Sequence, residues 1–199
     1  PLVEHVPIQY DPKGEGKIIT QYDMYSVDED GVGLLKFDFL GIKNLAILRN
    51  AVARVKHIRD IDMDINKVPL DDKKTFEMLA RGETMGLFQL NGQGMTKSLK
   101  DLKPTNIDDI NAMVALYRPG PLQFIPQFIE RKHNPKLIKY LDPSLERILR
   151  RTYGILVYQD DLLMIARELA GYSWLEVDVF RKAVGKKIPK LMAEQKEKF

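Results

Sequence analysis

Apolar positions follow two different spacings along this chain. Up to about residue 65 they come mainly in short β-branched and aromatic runs; beyond it they recur every three or four residues. Pro7, Pro12, Gly14 and Gly16 mark turns near the start. Lys17 to Tyr22 (Lys-Ile-Ile-Thr-Gln-Tyr) predicts a strand, and residues 28–31 (Asp-Glu-Asp-Gly) predict a loop. Leu34 to Leu40 (Leu-Leu-Lys-Phe-Asp-Phe-Leu) reads as a second strand ended by Gly41. From Asn44 the period changes. Leu45, Leu48, Val52 and Val55 fall at helical spacing and predict an amphipathic helix to about Lys56. Asp60 to Ile65 alternates acid and aliphatic, as in a short half-exposed strand or extended loop, and Pro69 closes it.

Past residue 70 the signals are helical. Asp71 or Asp72 caps a helix that turns Phe76 and Leu79 inward and stops at Gly82. Thr105-Asn-Ile-Asp108 has capping-box spacing and opens a helix with Ile107, Ile110, Val114 and Tyr117 on one face, broken by Pro119. Asp142-Pro143 is a cap followed by proline at the first helical position. Ser173-Trp-Leu-Glu176 is a full capping box whose helix closes near Gly185, where glycine permits a left-handed cap. The expected class is α+β, a small mixed β portion at 1–67 followed by a mostly helical domain at 68–199.

Composition narrows the classes. Of 199 residues, 44% are hydrophobic and 30% charged, which suits a globular body with a core. No apolar run approaches the roughly 20 residues that span a bilayer, so no membrane partner is expected. The absence of cysteine excludes disulfides and thiolate metal sites and fits a cytoplasmic location. His5, His57 and His133 are far apart, which disfavours a zinc site. Net charge is only +3, yet Arg181, Lys182, Lys186, Lys187 and Lys190 crowd together and make a local positive field. The first residue is Pro1 and the last stretch is helical and charged, so a piece of a longer protein is expected.

Lys36 and Asp38 are the sharpest candidates for chemistry. In a strand, residues two apart share a face, so both project together while Leu35, Phe37 and Phe39 fill the other side. A carboxylate on such a platform can ligate Mg²⁺, and an ammonium about 7 Å along can meet a phosphate. An ordinary ion pair on an edge strand fits the same spacing. Asp60, Asp62 and Asp64 also alternate, but with no nearby base they read as a solvated acidic face over a core of Ile61, Met63 and Ile65. The glycine-rich stretch from Gly82 to Gly94 matches neither phosphate-binding fingerprint; it is a structural turn or a loop touching a nucleotide. Tyr117 could stack on a base and Arg118 could grip phosphate, or the tyrosine could belong to the core. The cations at 181–187, without nearby acids, suit a triphosphate or a DNA backbone.

Eight strings, in order, make the chain resemble the alpha subunit of bacterial DNA polymerase III, the C-family replicative polymerases. They are Thr20-Gln-Tyr-Asp-Met24, Gly33-Leu-Leu-Lys-Phe-Asp-Phe-Leu-Gly41, Pro69-Leu-Asp-Asp72 and Gly86-Leu-Phe-Gln-Leu90. Ala115-Leu-Tyr-Arg-Pro-Gly-Pro121, Tyr153-Gly-Ile-Leu-Val-Tyr-Gln159, Leu169-Ala-Gly-Tyr-Ser173 and Arg181-Lys-Ala-Val-Gly-Lys-Lys187 complete the series. Together they cover essentially the whole sequence.

The resemblance implies the end of a palm at 1–67 and much of the fingers at 68–199. It makes Asp38 a metal-binding palm aspartate and Lys36 a contact of the incoming triphosphate. Arg181 and Lys182 become the basic pair of the fingers at the nucleotide phosphates, with Lys182 standing where many relatives carry arginine. Tyr117 and Arg118 sit in a motif near the nascent base pair, and Lys186 and Lys187 would meet DNA. The implied reaction is nucleotidyl transfer from a dNTP to a primer 3′-hydroxyl on primer-template DNA, assisted by two Mg²⁺. Sliding clamp, clamp-loader and proofreading subunits would join the full-length protein. The family's other two metal-binding aspartates lie in a Pro-Asp-x-Asp-x-Asp-Phe motif that these residues do not include. The isolated chain is therefore expected to be inactive, with a bare sheet edge that could pair between copies. A non-catalytic nucleotide- or DNA-binding module and an accessory, error-prone paralogue are the alternatives. The polymerase reading expects Lys36 and Asp38 to share an open surface turned toward the basic helix end near Arg181.

Overall fold

The computed structural model describes residues 1–28 and 31–199. Part of the loop expected at 28–31 thus falls outside the described residues. The chain divides into two compact units, Pro1–Met63 and Asp64–Phe199.

In the first unit, β1 (Ile8–Tyr10) pairs antiparallel with β2 (Ile18–Thr20), Gln9 opposite Ile19. Gly14 and Gly16 take positive φ in the connecting loop, where a side chain would be strained. The expected strand at 17–22 is thus present as its central residues. A single turn of helix, α1 (Met24–Val27), follows, capped by the Asp23 carboxylate, which accepts from the N–H groups of Tyr25 and Ser26. The hydroxyl of Ser26 also donates to Asp23, and these bonds hold its pKa below the ordinary value. Then α2 (Lys43–Arg59) runs seventeen residues, longer than the spacing predicts, and ends at Asp60 in the left-handed region.

Two expectations fail in this unit. Residues 34–40 form no strand: beyond the Leu34 N–H donating to Val27 O, no described segment provides a ladder, and an unpaired strand lacks its hydrogen bonds. Leu35, Phe37 and Phe39 are 72%, 71% and 96% exposed instead of buried. Similarly, α2 buries no residue: of its apolar stripe, Leu45 and Leu48 are exposed and Val52 and Val55 only half-buried. Among the described residues of this unit, Val6 is the only buried side chain. Residues 60–64 are an extended loop rather than a strand, and Ile61, Met63 and Ile65 stand in solvent instead of forming a core face.

The second unit is helical. It holds α3 (Lys73–Arg81), α4 (Gln93–Leu102), α5 (Ile107–Leu116), α6 (Ile125–His133), α7 (Glu146–Leu149), α8 (Gln159–Glu168), α9 (Trp174–Lys186) and α10 (Pro189–Lys198). Local chemistry sets most of the boundaries. Asp72 caps α3 by accepting from Thr75 N, Phe76 and Leu79 are buried, and Gly82 closes the helix at φ 76°. Asp142 caps the 3-10 turn Pro143–Leu145 that leads into α7. Ser173 and Glu176 complete their capping box at the start of α9. The helix continues through Gly185 and ends on Lys187 at φ 50°, two residues beyond the expected cap.

Helices α4, α5 and α6 enclose the main core of Met95, Leu99, Leu102, Ala112, Met113, Leu116, Ile125 and Phe128. Each such large side chain contributes about 1.5–3 kcal/mol by leaving water. A second cluster joins α8 and α9 through Ala166, Tyr172, Val177 and Phe180. The predicted face of α5 is rotated. Asp109, Ala112, Met113 and Leu116 point inward; Ile110 and Val114 lie at the margin, and Ile107 and Tyr117 are 37% and 39% exposed. The cap also moves one residue, from Thr105 to Asn106, whose side chain accepts from Asp109 N.

Candidate functional site

Lys36 and Asp38 do come together, though not by strand geometry. Lys36 Nζ lies 3.4 Å from Asp38 Oδ2, with the side chains 53% and 79% exposed. The pair is open to solvent, as a phosphate- or metal-facing group requires, and its apolar neighbours are open too. Lys36 also borders a cavity of about 230 Å³ with Asp28, Leu34 and Thr20.

Of the acidic alternation, Asp60 and Asp62 share one base. Lys56 Nζ lies 2.9 Å from Asp60 and 2.8 Å from Asp62, so the expectation of no nearby base is wrong. The turn at Asp60 brings the loop back past the last turn of α2. Among the described residues, no group of three acids, histidines or cysteines is placed to hold a metal ion.

The basic pair sits on the exposed side of α9, and it has an acid. Asp178 Oδ1 accepts from Arg181 Nε at 3.1 Å and Nη2 at 2.8 Å. Lys182 Nζ lies 3.4 Å from Asp178 Oδ2. One helical turn separates the three residues, which is why the sequence places acid and bases on one face. Arg181 first, then Lys182, keeps the Asp178 carboxyl below its usual range. Lys186 and Lys187 are exposed where α9 ends.

Tyr117 and Arg118 terminate α5. The Tyr117 hydroxyl lies against the Gly94 backbone so closely that a Cβ there would be 2.0 Å from it. The glycine-rich stretch thus has a packing reason for its last glycine. Its middle lines a cleft of about 750 Å³, bounded by Phe88, Gln89, Asn111, Arg151, Tyr158 and Gln159. Gln89 holds φ 60°, unusual for a residue with a side chain. Two of the sequence strings, at 86–90 and 153–159, therefore meet across one cleft.

The bacterial DNA polymerase III alpha subunit finger domain matches residues 44–199. The chain belongs to this family. Over all 199 residues it is 42% identical to the DNA polymerase III subunit alpha of Staphylococcus aureus strain COL and to that of strain Mu50. It is 41% identical to that of Staphylococcus epidermidis. The chain spans 18% of the length of these relatives. Tyr117, Arg118, Arg181, Lys182, Lys186 and Lys187 fall inside the finger-domain match; Lys36 and Asp38 precede it but lie within the alignment to the subunits.

Within the finger domain, sequence reading missed a buried ionic centre. Asp109 is 1% exposed and Lys132 8%, with Lys132 Nζ 2.6 Å from Asp109 Oδ2. Its signal was present: Asp109 shares the spacing of Ala112, Met113 and Leu116. Arg151 and Asp161 were missed as well, because they meet across a turn. Arg151 Nη2 lies 3.5 Å from Asp161 Oδ1, and its guanidinium sits 5.4 Å from the Tyr158 ring centre. Burial raises the Asp161 pKa, and Arg151 only partly opposes that.

Proposed function

We propose that this chain forms part of the nucleotidyl-transfer centre of a replicative DNA polymerase, extending a primer 3′-hydroxyl with dNTPs on primer-template DNA. The supporting observation is the likeness of all 199 residues to DNA polymerase III subunit alpha at 42% identity. In this reading the residues ahead of the finger-domain match belong to the palm, and residues 44–199 belong to the fingers. Lys36, Arg181 and Lys182 bind the triphosphate, where fixed cations stabilise charge that develops on the phosphates. Tyr117 and Arg118 lie near the nascent base pair, and Lys186 and Lys187 contact DNA. The work belongs in the cytoplasm, with sliding clamp, clamp loader and proofreading subunits as partners of the full-length protein. Among the described residues, no helix is long and apolar enough to cross a membrane.

Magnesium belongs to the same proposal. Asp38 offers one exposed carboxylate, and the described residues supply no cluster of three ligands. Among the described residues the donors do not complete a two-metal site, which draws on several carboxylates. The isolated chain is accordingly inactive in this reading, and its open apolar segment at 34–40 fits a piece that lacks neighbours.

The test is Asp38→Ala in the full-length polymerase. Primer extension falls by roughly two orders of magnitude or more, as a loss of several kcal/mol of charge stabilisation requires, while affinity for primed DNA changes little. Extension near the unsubstituted rate would remove Asp38 from the centre.

A further inference from the structure

A second cavity, about 550 Å³, adjoins the cleft of Phe88 and Tyr158; the two share Asp108 and Arg151. Three guanidinium groups border it: Arg147, Arg150 and Arg151. Their acids lie beneath them. Arg147 pairs with Glu168 and Arg151 with Asp161, and these carboxylate side chains are only 21% and 4% exposed. The guanidinium sides remain 70% and 54% exposed. Each guanidinium carries five N–H donors, so one carboxylate leaves several facing out. Arg150 is exposed, and among the described residues no carboxylate comes within ion-pair distance of it.

We infer that this face holds the phosphates of an unpaired nucleic-acid strand, the single-stranded template, with its bases turned toward Tyr158 and Phe88. The inference rests on the polymerase reading above and adds to it a site and a strand. Concentrated outward cations beside aromatic faces are what a single strand needs, since unpaired bases stack and phosphates take the charge. Phe88 is 51% exposed, and Tyr158 is half-buried under Arg151. Duplex bases are already stacked and would leave both rings unused. Asp108, the exposed carboxylate in both linings, repels phosphate and directs the backbone to the side of Arg147 and Arg150.

The experiment uses the full-length polymerase and two DNA probes, a blunt duplex and the same duplex with a 5′ overhang of about 12 nucleotides, within the ~4–16 that single-strand grooves cover. Arg150→Glu is the main variant, because an exposed residue without an acid partner is replaced without disturbing the core. Arg147→Ala and Tyr158→Leu follow. Affinity for the overhang probe falls about tenfold in Arg150→Glu, and the slope of log affinity against log salt becomes shallower by about 0.7 for each phosphate no longer neutralised. Affinity for the blunt duplex stays unchanged. Equal losses on both probes would place the arginines on duplex DNA and overturn the assignment. No loss on either would leave the face to an acidic protein partner and overturn it too. If the unsubstituted protein extends no primer, the polymerase reading itself fails, an outcome separate from both.

Discussion

Tyr153 donates its hydroxyl to Asp109 Oδ1 at 2.7 Å across 44 residues of sequence. The other oxygen, Oδ2, takes Lys132 Nζ at 2.6 Å and Thr105 N–H at 2.9 Å. Arg131 donates to the carbonyls of Tyr153 and Gly154 at 3.0 and 3.1 Å. Helices α5 and α6 and the start of the 153–159 segment are thus tied at one buried charge. Burial foremost, then Asp109, pushes the Tyr153 phenol pKa upward.

Removing one member of this centre leaves the other charge buried and unpaired. Asp109→Asn is expected to lower stability by about 3–5 kcal/mol, and Tyr153→Phe by about 1.5–3 kcal/mol. Replacing Asp109 and Lys132 together with apolar residues costs less than either alone, because no orphan charge remains. Urea unfolding of the parent, the apolar single variants at Asp109 and at Lys132, and the double variant measures this; a double variant as unstable as either single contradicts it.

Gly94 lies in the first turn of α4, where alanine ordinarily gains about 1 kcal/mol of helix propensity. Here the new Cβ would stand 2.0 Å from the Tyr117 hydroxyl oxygen. Overpacking, at about 1–3 kcal/mol, outweighs that gain, so Gly94→Ala is expected to destabilise. Tyr117→Phe in the same protein restores most of the loss. Thermal melts of the single and double variants decide it.

Glu176 accepts from Lys198 Nζ and from Ser173 N–H, and these bonds, Lys198 first, bring its pKa to about 2 from an ordinary 4.5. A depressed carboxyl stabilises the fold fully above 4.5 and loses that contribution as pH falls toward 2. The contact between α9 and α10 is therefore expected to weaken between those values. A carboxyl NMR titration of Glu176 should give a midpoint near 2. Lys198→Ala should move the midpoint upward, and an unchanged midpoint would separate Lys198 from the shift.

Arg181 and Asp178 are each 46% exposed, so their pair is worth no more than about 1 kcal/mol to the fold. In the full-length polymerase, Arg181→Ala is expected to raise KM for dNTPs by roughly 10- to 150-fold, the equivalent of about 1.5–3 kcal/mol for a charged hydrogen bond. Arg181→Lys recovers part of this, since it keeps charge without the planar fork. Steady-state kinetics beside melting curves separate the two effects; a loss seen only in melting temperature contradicts a phosphate role.

Much of the helical unit was legible because caps act over three or four residues. Asp72, Asp142 and the Ser173–Glu176 box each stand at the start expected of them. The family strings were legible for a different reason: their order and spacing survive whether or not the local backbone is regular. Less was legible at the site. The Lys36–Asp38 pair forms within a segment that has no strand partner among the described residues, and Asp178 was overlooked beside Arg181 although one turn of helix separates them.

By itself the sequence determined the α+β class, the starts of helices such as α3 and α9, and the polymerase family, since each depends on side chains acting on neighbouring backbone or on linear order. Only the tertiary structure decided which face of α5 is buried, that Asp109 meets Tyr153 and Lys132, and that 86–90 and 153–159 share a cleft. It also decided that residues 34–40 form no strand with any described segment. A ladder, an inward charge and a cleft wall all need a partner from elsewhere in the chain, and propensity along the sequence does not name that partner.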